Sequence, residues 1–428
     1  MPESSTALFT DRYELTMLAA ALADKTAGRR CTFEVFARRL PNDRRFGVTA
    51  GTSRLIEAIG RFRFDEEALA FLRSTGVVDE ATADYLRGYR FTGDIDGYAE
   101  GEPYFAHSPI LSVTGSFGEA VLLETLALSI LNHDSAVAAA ASRMVLAAAG
   151  RPIIEMGSRR THEKSAVASA RAAYLAGFAA TSNLAAGARY GLPTAGTAAH
   201  AFVLLHEREA DAFAAQIAEA GVDTTLLIDT YDIGAGVATA VEVAGPALGA
   251  IRIDSGDLAV MAHRCRAQLD SLGATGAKIV VSGDLDEFAI AALAAAPVDV
   301  YGAGTAVVVG SGAPTAGLVY KLVEVDGRAV AKRSENKATV GGRKLAYRRH
   351  RCSGTAEEEI VVRSGGGFCP TDGDRLLTVP LMRGGEPVDA PTLDGSRASH
   401  RAAIESLPWE ALKLSRGEPG LPVRMEPQ

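Results

Sequence analysis

Arg252 and Asp254 lie two positions apart in the run Ile251-Arg252-Ile253-Asp254-Ser255-Gly256-Asp257, so on a strand their side chains project to one face. A strand buried in a parallel sheet is otherwise apolar. A guanidinium and a carboxylate pointing the same way therefore mark the mouth of a site that grips a polar ligand, or else an ion pair buried under a loop. Val281-Ser282-Gly283-Asp284 and Tyr301-Gly302-Ala303-Gly304-Thr305 each close an apolar run with glycine. There the backbone can approach a ligand closely, and successive amides can cradle phosphate. His200 follows Thr197 by three residues. The carboxylates of Asp229 and Asp232, in Asp229-Thr230-Tyr231-Asp232, are candidates to fix its tautomer and raise its basicity. Arg159 and Arg160, in Glu155-Met156-Gly157-Ser158-Arg159-Arg160, supply planar forks that suit carboxylate or phosphate, or simply a solvated turn. No GxxxxGK[ST] stretch is present, which excludes a P-loop nucleotide site. The other histidines and the four scattered cysteines show no metal-ligand spacing.

These residues sit at the ends of recurrent short apolar runs. The runs are Pro152–Glu155, Gly177–Thr181, Pro193–Thr197, Thr225–Asp229, Ala250–Asp254, Lys278–Ser282 and Val298–Gly302, most of them roughly 20 to 30 residues apart. Ala-rich helical stretches such as Asp211–Ala220 and Glu287–Ala296 fill the gaps. One buried strand and one helix per repeat is the rhythm of a parallel α/β sheet or barrel, and seven runs stand closer to an eight-stranded barrel than to a five-stranded open sheet. Barrel chemistry sits at the C-terminal strand ends, which here carry Glu155, Thr181, Thr197, Asp229, Asp254, Ser282 and Gly302.

The flanks read differently. Arg30–Phe36 predicts a strand, Leu122–Met144 a helix, and Tyr320–Val325 followed by Asp326-Gly327 a hairpin. Short strands at Arg375–Pro380 and a helix near Trp409 are expected at the end. The division expected is 1–145 and 346–428 as one flanking α+β domain built from both chain ends, around an irregular α/β barrel at 146–345.

A chain of 428 residues with 47% hydrophobic and 22% charged residues is globular in composition and long enough for more than one core. The net charge of −8 argues against nucleic-acid or membrane-surface binding, while leaving room for a locally basic phosphate pocket. Few cysteines, no basic-then-apolar N-terminus and no long apolar span give the expectation of a cytoplasmic protein.

In sequence order, the motifs resemble those of the nicotinate phosphoribosyltransferases. They are Thr10-Asp11-Arg12-Tyr13-Glu14-Leu15-Thr16-Met17, Glu155-x-Gly157-x-Arg159-Arg160, Gly177-Phe178-x-x-Thr181-Ser182-Asn183, Gly196-Thr197-x-x-His200-x-Phe202, Asp229-Thr230-Tyr231-Asp232, Arg252-x-Asp254-Ser255-Gly256-Asp257, Gly302-x-Gly304-Thr305 and Lys332-Arg333-Ser334-x-x-Lys337. The resemblance spans roughly residues 8 to 350. It implies an irregular α/β barrel beside a domain made from both chain ends, working as a homodimer with shared sites. It implies synthesis of nicotinate mononucleotide and pyrophosphate from nicotinate and phosphoribosyl pyrophosphate, with Mg²⁺ and coupled to ATP through a phosphohistidine. By resemblance, Tyr13 reaches the partner's site near the pyridine ring, and Arg159, Thr181, Ser182, Thr197 and Arg252 bind substrate. Asp254, Gly283 and Asp284 lie along the ribose and its phosphates, Gly304 and Thr305 hold the 5′-phosphate, His200 takes the phosphoryl group and Asp232 orients it. Ser182 stands where the nicotinamide enzymes carry an aspartate, which favours the acid as substrate. Met156 stands where relatives carry an aromatic beside the ring. Nicotinamide or quinolinate phosphoribosyltransferase, or a non-catalytic phosphosugar-binding regulator, are the alternative readings. Such a regulator is expected to lose His200, Asp232 or Asp254, and all are retained.

Overall fold

The computed structural model describes residues 5–332 and 339–426, so the Arg333-Ser334-x-x-Lys337 part of the last motif lies outside the described residues. The chain separates into two units, one formed by residues 137–314 and the other by 1–136 with 315–428.

In the 137–314 unit the apolar runs become parallel strands. Ile153–Glu155, Ala180–Thr181, Thr225–Leu227, Ala250–Ile253, Lys278–Ser282 and Val300–Ala303 form one six-stranded sheet. Its spatial order is 180–181, 153–155, 300–303, 278–282, 250–253, 225–227, and each neighbouring pair is parallel. Parallel neighbours need crossover connections. These are supplied by helices that include Glu163–Leu175, Glu209–Ala220, Ile233–Ala244, Leu258–Ser271 and Glu287–Ala292. Side chains that follow strand ends start several of the helices: Asn183, Asp232, Asp257 and Asp286 each accept a first-turn amide. The register aligns Leu227 with Arg252, Arg252 with Val280 and Val280 with Val300. All C-terminal strand ends therefore fall along one rim.

Pro193–Thr197 departs from the expected strand. It makes only an isolated bridge between Thr181 and Thr194. Pro193 has no N–H to give a ladder and Gly196 no side chain to pack. The observed class is mixed α/β, and among the described residues no pairing joins the 225–227 edge to Thr194.

In the other unit, Arg30–Ala37 lies between Leu318–Val325 and Leu111–Ser116, antiparallel to both, within a seven-stranded sheet. Asp326 and Gly327 both adopt positive φ (48° and 76°) and return the chain into Arg328–Ala329, which confirms the hairpin. Because the Leu318–Val325 strand pairs here, this unit's second segment begins at Thr315 rather than at 346. Phe33 stacks on Tyr320 at 4.8 Å within its core. A four-stranded sheet orders 374–376, 344–350, 356–363 and 423–425. In it the fully buried Arg348 lies opposite Glu359 at 2.9 Å and also bonds Glu102. The last helix is Leu393–Glu405, not a helix around Trp409: Pro408 follows it, and the exposed Trp409 ring carries Lys413 at 3.8 Å. No helix among the described residues is long and apolar enough to cross a membrane.

Candidate active site

Arg252 organises the rim of the parallel sheet. From the end of the Ala250–Ile253 strand its Nε donates to Ser282 Oγ at 2.8 Å and its Nη1 to Thr197 Oγ1 at 3.0 Å, and its Nη2 lies 3.3 Å from Asp254 Oδ1. Ser282 in turn donates to Asp254 Oδ1. Three separate rim segments thus meet at one guanidinium, and the expected Arg252–Asp254 pair is a mouth feature: the Asp254 side chain is 25% exposed. Gly283 follows Ser282 at φ +108°, where a Cβ would sit 3.0 Å from the Asp254 carbonyl oxygen. Only glycine lets the two loops approach so closely. Asp284 beyond it is exposed.

His200 opens a five-residue helix, His200–Leu204. Its Nδ1 is 3.1 Å from Thr230 Oγ1, and its Nε2 is 3.9 Å from Asp229 Oδ1. Asp229 is the carboxylate behind the imidazole. Its Oδ2 receives the Asp254 N–H at 3.0 Å and the Ser255 hydroxyl at 2.6 Å, while Oδ1 is buried with no hydrogen-bond partner. Asp232 does not hold the ring as the sequence suggests. It is exposed, and its Oδ1 accepts the Ala235 N–H at 2.8 Å to cap helix Ile233–Ala244. The physical reason is position: the turn after residue 228 puts Asp229 inward and leaves Asp232 at a helix start.

Thr181 also differs from a substrate contact. It is buried, and its hydroxyl donates to Glu155 Oε2 at 2.5 Å. Burial pushes the Glu155 carboxyl up, against the hydrogen bonds from Thr181 and from the Gly157 amide. Ser182 and Arg159 are exposed on the two loops that Glu155 underlies. Met156 lies against the floor: a Cβ on Gly302 would come within 2.8 Å of its sulfur. A Cβ on Gly157 would come within 2.2 Å of Val308 and 3.0 Å of the Gly304 carbonyl, so the Met156 loop rests on the turn that starts helix Thr305–Val308. Gly304 is the residue before that helix and Thr305 its exposed first residue.

Tyr13, in the other unit, is 44% exposed on helix Arg12–Ala23, which also exposes Met17 one turn on; Phe9, in the short turn before the helix, is exposed too. Burial, with the Glu124 and Glu14 carboxylates, pushes its phenol up to about 12, so it is a neutral hydroxyl at physiological pH. Sequence reasoning missed Ser282 and Ser255 as hydrogen-bond partners and Glu155 as a link between loops, and it left Asp229 and Asp232 side by side as acids for the ring, with the resemblance implying Asp232. The signal for Asp229 was its place directly at the strand end.

Among the described residues no group of three or more His, Cys, Asp or Glu side chains is placed to hold a metal ion. The arrangement suits a ligand that brings its own negative charge: one guanidinium, strand-end glycines, and carboxylates spaced for hydroxyl groups.

Residues 8–132 match the family model of the nicotinate phosphoribosyltransferase N-terminal domain. The chain is 60% identical to nicotinate phosphoribosyltransferase pncB1 of Mycobacterium tuberculosis, covering 98% of this chain and 95% of that one. It is 39% identical to a nicotinate phosphoribosyltransferase of Bacillus subtilis over 81% of this chain and 74% of that one. The crystal structure of human nicotinic acid phosphoribosyltransferase superimposes with a TM-score of 0.84 at 26% identity, covering 97% of each chain.

Proposed function

From the premise that this chain belongs to the nicotinate phosphoribosyltransferase family, we propose how its sheet rim carries out that family's reaction. The pyridine nitrogen of nicotinate attacks C1 of phosphoribosyl pyrophosphate, the C1–oxygen bond breaks, and pyrophosphate leaves with the bonding pair. The transition state is oxocarbenium-like, so the protein's work is positioning and electrostatics.

The observation that carries this reading is Arg252 joined to Thr197, Ser282 and Asp254 at one rim. A guanidinium with neighbouring hydroxyls receives the acceptor's carboxylate. Asp254 and Asp284 accept ribose hydroxyls, and the amides at Gly283, Gly304 and Thr305 face phosphate oxygens. Ser182 adds no negative charge to the acceptor loop, and Arg159 adds a positive one, which supports the acid over the amide. Met156 supplies a polarisable sulfur against the pyridine ring. Asp254 and Asp284 are the carboxylates that would hold Mg²⁺, which would supply positive charge against the diphosphate.

His200 takes the γ-phosphoryl group of ATP, and Asp229, rather than Asp232, holds the ring. Hydrolysis of that phosphohistidine drives the otherwise weakly favoured synthesis. The parallel sheet is an irregular barrel in this reading, with the Pro193–Thr197 segment bridging towards its open edge. Two copies form a homodimer in which Tyr13 of one completes the site of the other, which accounts for the exposure of Tyr13 and Met17 on one helix and of Phe9 before it. The test is product formation from labelled nicotinate, phosphoribosyl pyrophosphate and Mg²⁺, with and without ATP. ATP-stimulated labelling of the mononucleotide is expected, and none under either condition overturns the reading.

A further inference from the structure

We infer that Glu155 is a positioning residue for the acceptor: its buried carboxylate locks together the two rim loops that carry Arg159 and Ser182. The inference rests on the proposed reading that these loops receive nicotinate.

Glu155 is 1% exposed at the end of the Ile153–Glu155 strand, next to Ala180–Thr181 in the sheet. One oxygen accepts the Gly157 N–H and the other the Thr181 hydroxyl, each at 2.5 Å. The Thr181 oxygen, having given its proton, accepts the Asn183 N–H at 3.0 Å. Asn183 then reaches back across the gap, its Nδ2 donating to Ser158 Oγ at 2.9 Å while its Oδ1 caps the next helix at Ala186. The Ser182 amide completes the tie by donating to the Glu155 carbonyl at 2.8 Å.

The circuit has a fixed polarity. Residue 155 faces two donors, so a side chain that accepts on both terminal atoms completes it with both bonds charge-assisted. Glutamine has the same shape but must turn an NH₂ group towards either the Gly157 N–H or the Thr181 hydroxyl. Facing that NH₂, the Thr181 hydroxyl can accept it beside the Asn183 N–H but must send its own proton elsewhere, and the charge-assisted link becomes a weaker neutral one. An apolar filler of the same volume would keep the packing and lose the link altogether. Arg159 and Ser182 are themselves exposed, so their placement depends on the loop backbones that Glu155 pins. The strand ends that carry Asp254 and Gly283 are tied through Ser282 and Asp229 instead. The Asp254 and Gly283 part of the phosphoribosyl side is therefore independent of this circuit, while the Gly304 turn meets it through Gly157.

The experiment is steady-state kinetics with both substrates varied, on wild type, Glu155→Gln, Ser158→Ala and the double variant, together with thermal melts. Glu155→Gln is expected to raise the KM for nicotinate by about 10-fold and Ser158→Ala by about 3-fold, with the KM for phosphoribosyl pyrophosphate within about twofold of wild type. The double variant should be worse by less than the product of the two single effects, because both act on one circuit. A parallel rise in both KM values, or lower melting with both KM values unchanged, overturns the inference. If Glu155→Gln does not fold, Ser158→Ala decides alone, and an unchanged nicotinate KM overturns it. A wild type that makes no mononucleotide overturns the proposed function instead, so the two failures are distinct.

Discussion

Nε2 of His200 stands 3.9 Å from Oδ1 of Asp229, and that oxygen is buried without a hydrogen-bond partner. Leaving such an acceptor unsatisfied costs about 1–3 kcal/mol, which a small turn of the ring recovers. The imidazole is thus drawn to present one nitrogen as N–H to Asp229 and leave the other basic. Asp229→Asn should cut ATP-coupled turnover by about 10- to 100-fold. Asp232→Asn should leave it within about twofold, since asparagine caps a helix as well as aspartate. Steady-state rates of the two variants check this, and the reverse order would restore Asp232 to the ring.

Incubation with ATP should leave an acid-labile, base-stable phosphate on the protein that His200→Ala lacks. The same variant should stop hydrolysing ATP yet retain slow, ATP-independent transfer, because Arg252, Asp254 and the strand-end glycines are untouched. Measuring ATP consumed per product formed, beside a thermal melt, separates this from a packing role. A folded His200→Ala protein with unchanged coupling removes the residue from the mechanism.

Nicotinate should outcompete nicotinamide by about 100-fold or more in kcat/KM, equivalent to ~2.7 kcal/mol. Arg252→Lys should erode most of that margin, because an ammonium cannot meet Thr197, Ser282 and Asp254 in one plane. Competition kinetics with both acceptors measure it, and equal use of the amide by wild type refutes the assignment.

Mixing Tyr13→Ala chains with His200→Ala chains should recover ATP-coupled activity beyond that of either alone, since one site of each mixed dimer is intact. The check is activity after demonstrated subunit exchange. No recovery counts against sites shared between copies.

Arg348→Met should destabilise the four-stranded sheet's unit by about 3–5 kcal/mol, because it strands Glu359 and part of Glu102 in the interior. Denaturant melts report the loss. Little or no change would show that those carboxylates find other partners.

The parallel strands were legible because each buried run is short, apolar and closed by a polar turn, as at Lys278–Ser282 and Ala250–Ile253. Pro193–Thr197 looked equally strand-like, but its pairing depends on neighbours that no local pattern encodes. Arg252 and Asp254 were legible as a pair through their two-residue spacing. The ring-holding acid was not: Asp229 and Asp232 share one motif, and only the direction of the turn between them decides which faces His200. Glu155 was hidden for a similar reason, since its partners Thr181 and Ser182 are brought near by strand pairing rather than by sequence.

The pairing of Leu318–Val325 with Arg30–Ala37 dictates an order of events during synthesis. The Arg30–Ala37 strand cannot gain its second neighbour until residue 325 has left the ribosome, and its sheet is complete only after Glu386–Pro387, whereas residues 137–314 emerge as one contiguous stretch. The parallel-sheet unit therefore forms while the N-terminal Arg30–Ala37 strand still waits with one edge bare. Such an edge invites mispairing, so nascent chains halted before residue 318 are the ones that chaperones should hold most tightly.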